Sequence, residues 1–138
     1  MEVFTQLLIA LLTIGISTAS HYYCLNRLKA WLEITKLSSI LRLLGVVYGI
    51  TFSQLIAALW FAMSFKASIL FGLGSFGGDL SVAFIDIFYF SLINLTTLGM
   101  AQVEPLGHLN FLAGLEAMTG FLLVSCSASL IFKTMNNQ

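Results

Sequence analysis

Tyr89-Phe90-Ser91-Leu92-Ile93-Asn94-Leu95-Thr96-Thr97-Leu98-Gly99 is a short apolar run that stops at two threonines and a glycine. Counted from Ser81, the run to Leu95 is too short to cross about 30 Å of hydrocarbon, which takes roughly 20 apolar residues in a helix. Gln102, Glu104 and the chain's single proline, Pro105, follow it. The pattern reads as a re-entrant segment: a half-helix that enters a bilayer, turns and leaves by the face it entered. Backbone that is not helical survives at membrane depth only where it is buried in protein or lines a water-filled path. A lone copy is therefore implausible. Several copies must surround an axis, so that the carbonyls of residues 96 to 100 face ions or water rather than lipid. The half-helix aims its partly negative C-terminal end inward, which favours a cation there.

The rest of the chain agrees with a bilayer setting. Of 138 residues, 59% are apolar and only 9% charged, too greasy a balance for a water-soluble domain of this length. Val3 to Tyr23 and Leu43 to Phe65 are long enough to cross and hold no formal charge, and Leu109 to Phe132 holds only Glu116. The first run lacks the basic start and small-residue cleavage site of a signal peptide, so it reads as a retained helix. The expected architecture is an all-α membrane protein with three transmembrane helices plus the re-entrant helix and its loop.

Formal net charge is zero, which points to no nucleic-acid partner. Local charge is more telling. Arg27, Lys29, Lys36 and Arg42 fall in the first connecting segment with Glu33 as its only acid, and Lys133 follows the last span. The positive-inside rule makes that side cytoplasmic, with the N-terminus and residues 66 to 108 outside and the C-terminus inside. The short run then enters and leaves from the outer face. Residues 24 to 42 interleave Leu28, Trp31, Leu32, Ile34 and Leu37 with the basic residues, which reads as an amphipathic segment at the inner interface or as an extension of either flanking helix. Trp60, Phe61 and Phe65 read as boundary aromatics at the end of the second span.

Other motifs carry less. Gly72, Gly74 and Gly77 spell a G-x-G-x-x-G, but no βαβ context or later acid accompanies it, so it reads as a compact turn in an outer loop. Cys24 and Cys126 form no disulfide framework or metal spacing. Asp86 sits where a carboxylate meets the positive end of the short helix. His21 and His108 are expected on opposite sides of the bilayer, and no paired carboxylates or nucleophile triad can be assembled, so no enzyme and no cofactor are expected. Glu116, alone in its span, is a functional candidate by default.

Tyr89-Phe90-Ser91, Thr96-Thr97-x-Gly99, Pro105 and Glu116-Ala117-x-x-Gly120 together resemble the bacterial two-helix potassium channels. The resemblance spans roughly residues 41 to 133. It implies an N-terminal part, residues 1 to 40, holding the extra helix and amphipathic linker, and a pore domain over residues 41 to 138. It further implies a homotetramer in a bacterial cytoplasmic membrane, with permeant monovalent cations, potassium and also sodium. Thr96 falls at the family's threonine behind the filter, and Thr97, Leu98 and Gly99 match Thr-Val-Gly with Leu for Val. The threonine hydroxyl and the filter carbonyls would be the ion ligands. Gly120 falls at the family's inner-helix hinge, although Ala113, Ala117 and Gly120 equally make a small face for close helix packing.

The pattern then departs from the family. Met100 stands where the family has an aromatic ring that wedges the filter, and Ala101 where it has a glycine in a left-handed conformation that costs an L-residue roughly 1 kcal/mol or more. Gln102 lacks the family's carboxylate, and neither Ile93 nor Asn94 supplies an acid behind the filter. Asn94, Gln102 and Glu116 are the expected filter supports, with Glu116 hydrogen-bonded behind it. The inner ion sites at Thr97 and Leu98 are expected to persist better than the outer ones, giving a cation pore of relaxed selectivity. A potassium-selective channel and a nonconducting scaffold or regulatory subunit stand as alternatives.

Overall fold

The computed structural model describes residues 2–77, 83–99 and 103–136. In order these are α1 (Glu2–Ile34), α2 (Ser39–Leu70), β1 (Gly74–Gly77), α3 (Phe84–Leu95), β2 (Glu104–Gly107) and α4 (Leu109–Asn136). α1, α2 and α4 are each long and apolar enough to cross a membrane. Their outward surfaces carry large apolar side chains such as Phe4, Leu12, Phe52, Met118 and Phe121. A protein that leaves such residues exposed along three long helices is a membrane-embedded one.

The basic connecting segment is not a separate interfacial helix. α1 continues through Arg27 and Lys29 to Ile34, where the Thr35 hydroxyl donates to the Trp31 carbonyl at 2.6 Å. α2 begins at Ser39 after an extended Ser38 whose carbonyl accepts the Arg42 N–H at 3.0 Å. So short a connection folds the two helices into an antiparallel hairpin. Gly45 and Gly49, one turn apart, let α1 come close. A Cβ on Gly45 would meet the Trp31 ring at 2.6 Å, and one on Gly49 would meet Leu28 Cδ1 at 2.9 Å.

Beyond α2 the structure departs from an all-helical reading. β1 and β2 pair antiparallel, with Gly74 opposite Gly107 and Gly77 opposite Glu104. The glycine-rich stretch, expected as a compact turn, is therefore half of a ribbon. Gly74 is required there, because a Cβ would strike the Leu106 carbonyl and the Leu109 side chain. The ribbon's effect is topological. Everything between Gly77 and Glu104, α3 included, is an excursion whose two ends are fastened side by side.

The larger core lies under this ribbon, where Ala58, Phe61 and Phe65 of α2, Phe90 and Leu95 of α3, and Leu109 and Leu112 of α4 are buried together. Phe65, Phe76 and Phe90 form a mutual aromatic trio with centroids 5.6, 5.3 and 5.1 Å apart. Edge contacts of this kind contribute about 0.5–1.5 kcal/mol per pair beyond area burial. A smaller core at the other end joins Leu25 and Leu32 of α1, Val46 and Ile50 of α2, and Leu130 of α4. α1 contributes to both cores, with Ala10 in the larger.

Trp60 is not at a helix boundary. α2 runs on to Leu70, and the Trp60 indole N–H donates to Ser20 of α1 at 3.2 Å.

Candidate functional site

α3 starts where the Ala83 N–H donates to the Asp86 carboxylate at 3.1 Å, the N3-to-N-cap half of a capping box. Its twelve residues rise about 18 Å, well short of a crossing. Ile87, Phe90, Ser91 and Leu95 form its buried face, and Tyr89 points outward.

The helix ends in a Schellman motif. The Leu98 N–H reaches back to the Ile93 carbonyl at 3.3 Å and the Thr97 N–H to the Asn94 carbonyl at 2.9 Å. Thr96, with φ −82° and ψ 2°, is the C-cap, and its hydroxyl donates to Ile93 O at 2.8 Å. Thr97 therefore occupies the C′ position, usually glycine, with φ +61°. For a β-branched residue that conformation is a true outlier and costs roughly 1–2 kcal/mol. Gly99 follows at φ +65°. Thr96, Thr97, Leu98 and Gly99 are all exposed on the single chain. Met100, Ala101 and Gln102 lie outside the described residues.

Behind this turn the buried acid missing from α3 arrives from α4. Glu116 is fully buried. Its carboxyl takes the Asn94 Nδ2–H at 2.7 Å on one oxygen and the Ser91 hydroxyl on the other. Asn94 also donates to the Ala113 carbonyl at 2.8 Å, and the Ser91 hydroxyl, which has one hydrogen to give, lies 2.8 Å from the Ala58 carbonyl as well. One carboxyl thus fastens α3 to α4 through Asn94, and Ser91 extends the link to α2. Gly120, one turn further along α4, is buried against the end of α3, where a Cβ would collide with the Leu95 carbonyl and lie 2.9 Å from its Cα. Close packing is the role the geometry assigns Gly120. A cavity of about 190 Å³ lies behind the turn, lined by Phe90, Ile93, Asn94, Gly99, Glu104 and Ala113 among others.

A second polar cluster was not anticipated. His21 of α1 is buried, with Nδ1 2.6 Å from the Ser53 hydroxyl of α2 and Nε2 3.1 Å from the Ser127 hydroxyl of α4. It belongs to a stripe of α1 in which Gln6, Ala10, Thr13 and Ser17 are also buried. Spacings of three and four between small and polar residues were the available signal, since such residues face other helices rather than lipid. Ser125, Ser127 and Ser129 of α4 donate to the carbonyls of Phe121, Leu123 and Cys126 at 2.7–2.8 Å. Among the described residues no group of three or more His, Cys, Asp or Glu side chains is placed to hold a metal ion.

A scan against family models, a search of curated proteins and a search of solved structures each found no match for this chain. The reading of the site rests on its residues and geometry.

Proposed function

We propose that the chain is the pore-forming subunit of a homotetrameric, potassium-channel-like cation channel, with Thr96 to Ala101 as an atypical selectivity filter. The observation that carries this reading is the excursion itself. A twelve-residue apolar helix, fastened at both ends to one ribbon, ends in a polar turn braced from behind by Glu116 and Gly120 of a membrane-length helix. The exposed Leu98 supports assembly, because an isolated chain in lipid would leave the polar backbone around it without partners. With four turns around an axis, the Thr97 hydroxyl and the carbonyls of Thr96 to Gly99 would replace the hydration shell of a monovalent cation. Gly120 would be the pivot of the inner helix, with the N-terminus outside and the C-terminus in the cytoplasm.

Ion flux into liposomes holding the purified chain tests this, with potassium, sodium and a large organic cation run in parallel beside a Met100→Tyr/Ala101→Gly double variant. The expected result is potassium and sodium flux that becomes potassium-selective in the variant. Silence of both proteins, each recovered as a folded tetramer, would reject the pore and leave a structural or regulatory role. Recovery as a folded monomer would reject the assembly.

A further inference from the structure

Three of the chain's six lysines and arginines converge in space. At the end of the bundle away from the ribbon, Lys29 of α1, Arg42 of α2 and Lys133 of α4 line one cavity of about 190 Å³. Its apolar floor is Leu32 and Leu130, both buried in the smaller core, and Glu33 and Thr134 complete the wall. The consecutive helices α1 and α2 and the distant α4 each contribute one cation. Read from the sequence alone, these residues set topology; the fold turns them into a pocket.

Among the described residues no carboxylate pairs with these three cations within the ion-pair distance. Among the described residues the one ion pair joins His108 to Glu2 at 3.5 Å, at the ribbon end. Arg42 makes a single long contact, from Nη2 to the Leu32 carbonyl at 3.4 Å, and its Nε is buried without a partner. A buried guanidinium donor left unpaired is costly and asks for an acceptor. Three cations against one carboxylate leave the cavity positive, and a guanidinium fork matches phosphate oxygens. Depth narrows the ligand further. Lys133 lies about 36 Å along α4 from its start, past the roughly 30 Å of hydrocarbon, which is headgroup level. Glu33 on the rim fits a headgroup that offers hydroxyl donors.

We propose that this cavity binds a phosphate-bearing anion, the phosphodiester of a hydroxylated anionic lipid being the form its cationic wall and apolar floor fit. Occupancy ties the ends of α1, α2 and α4 together, which gives the first helix a part in positioning the last. The site stands independently of the channel reading.

Native mass spectrometry of the full chain in neutral detergent, titrated with phosphatidylglycerol or phosphatidylcholine, tests it. Phosphatidylglycerol should bind at least about tenfold more tightly. Arg42→Gln and Lys133→Gln should each weaken it about fivefold, corresponding to ~1 kcal/mol per cation, while Lys36→Gln, outside the cavity, should not. Thermal unfolding of each variant checks that it is folded, and Lys133, on an exposed final turn, carries the test if Arg42→Gln is not. Inorganic phosphate added as competitor separates the sources. Displacement means that the site reads phosphate itself, and its failure means that the acyl chains are needed. Equal binding of the two lipids, or a Lys36→Gln effect as large as that of Lys133→Gln, overturns the proposal.

Discussion

α2 and α3 end in the same hydrogen-bonded cap, built from different residues. At the end of α2 the Leu73 N–H reaches the Ser68 carbonyl and the Gly72 N–H the Ile69 carbonyl, both at 3.0 Å, and Gly72 takes the left-handed position at φ +71°. At the end of α3 the same two bonds are made with Thr97 in that position. The residue after the cap differs as well. Leu73 is 5% exposed and closes the α2 cap into the core, whereas Leu98 is 68% exposed and closes nothing within its own chain. The first cap is complete in one protomer and made of the residue that does it without strain. The second holds strain and faces outward, the kind of strain that functional sites often hold, and it lies where the proposed assembly would bring neighbouring copies together.

The largest effect should come from removing the brace that holds the second cap. Gly120→Ala drives a Cβ into the Leu95 carbonyl, so α3 must leave its seat, at about 3 kcal/mol or more. Gly114→Ala, on the same helix with open space around it, should cost nothing measurable. Thermal unfolding in detergent compares the two, and equal stabilities would mean that Gly120 does not hold the end of α3.

Next comes the carboxyl. Glu116→Ala leaves the part-buried Asn94 amide one acceptor short and the buried Ser91 hydroxyl with the Ala58 carbonyl alone, and should cost about 2–3 kcal/mol. Glu116→Gln keeps an acceptor for Asn94 and presents an N–H to the Ser91 oxygen, so it should stay within about 1 kcal/mol of the parent. If both variants were equally destabilised, the charge rather than the hydrogen bonding would be what the site needs.

Swapping residues between the caps gives the smaller effects, of opposite sign. Gly72→Thr imposes left-handed strain on the α2 cap and should lower stability by about 1–2 kcal/mol. Thr97→Gly relieves it at the α3 cap and should raise stability by up to about 1 kcal/mol; under the proposed channel reading it should also alter ion flux, because a hydroxyl ligand would be lost. A Thr97→Gly protein that is more stable and conducts unchanged would show that the threonine is not an ion ligand.

Much of this was legible along the chain. Long charge-free apolar runs specify membrane helices because lipid leaves the backbone no other partners, and a run too short to cross marks α3 in the same way. Gly72 could be read as a helix stop because only glycine takes that backbone position freely. Thr97 could not, since a left-handed threonine runs against its own preference and the surrounding packing decides it. Nor could the ribbon, whose strands lie about thirty residues apart and are too short for alternation to register.

Local hydropathy and run length along the chain dictate the set of elements: three membrane-length helices, a half-length apolar helix and a polar turn. Which polar groups serve one another is settled in three dimensions. The Glu116 link to Asn94, His21 set between Ser53 and Ser127, and the meeting of Lys29, Arg42 and Lys133 all join residues from different helices. Their positions follow from helix packing, in which a buried polar group must find its partner across the interface, and no local pattern records that choice.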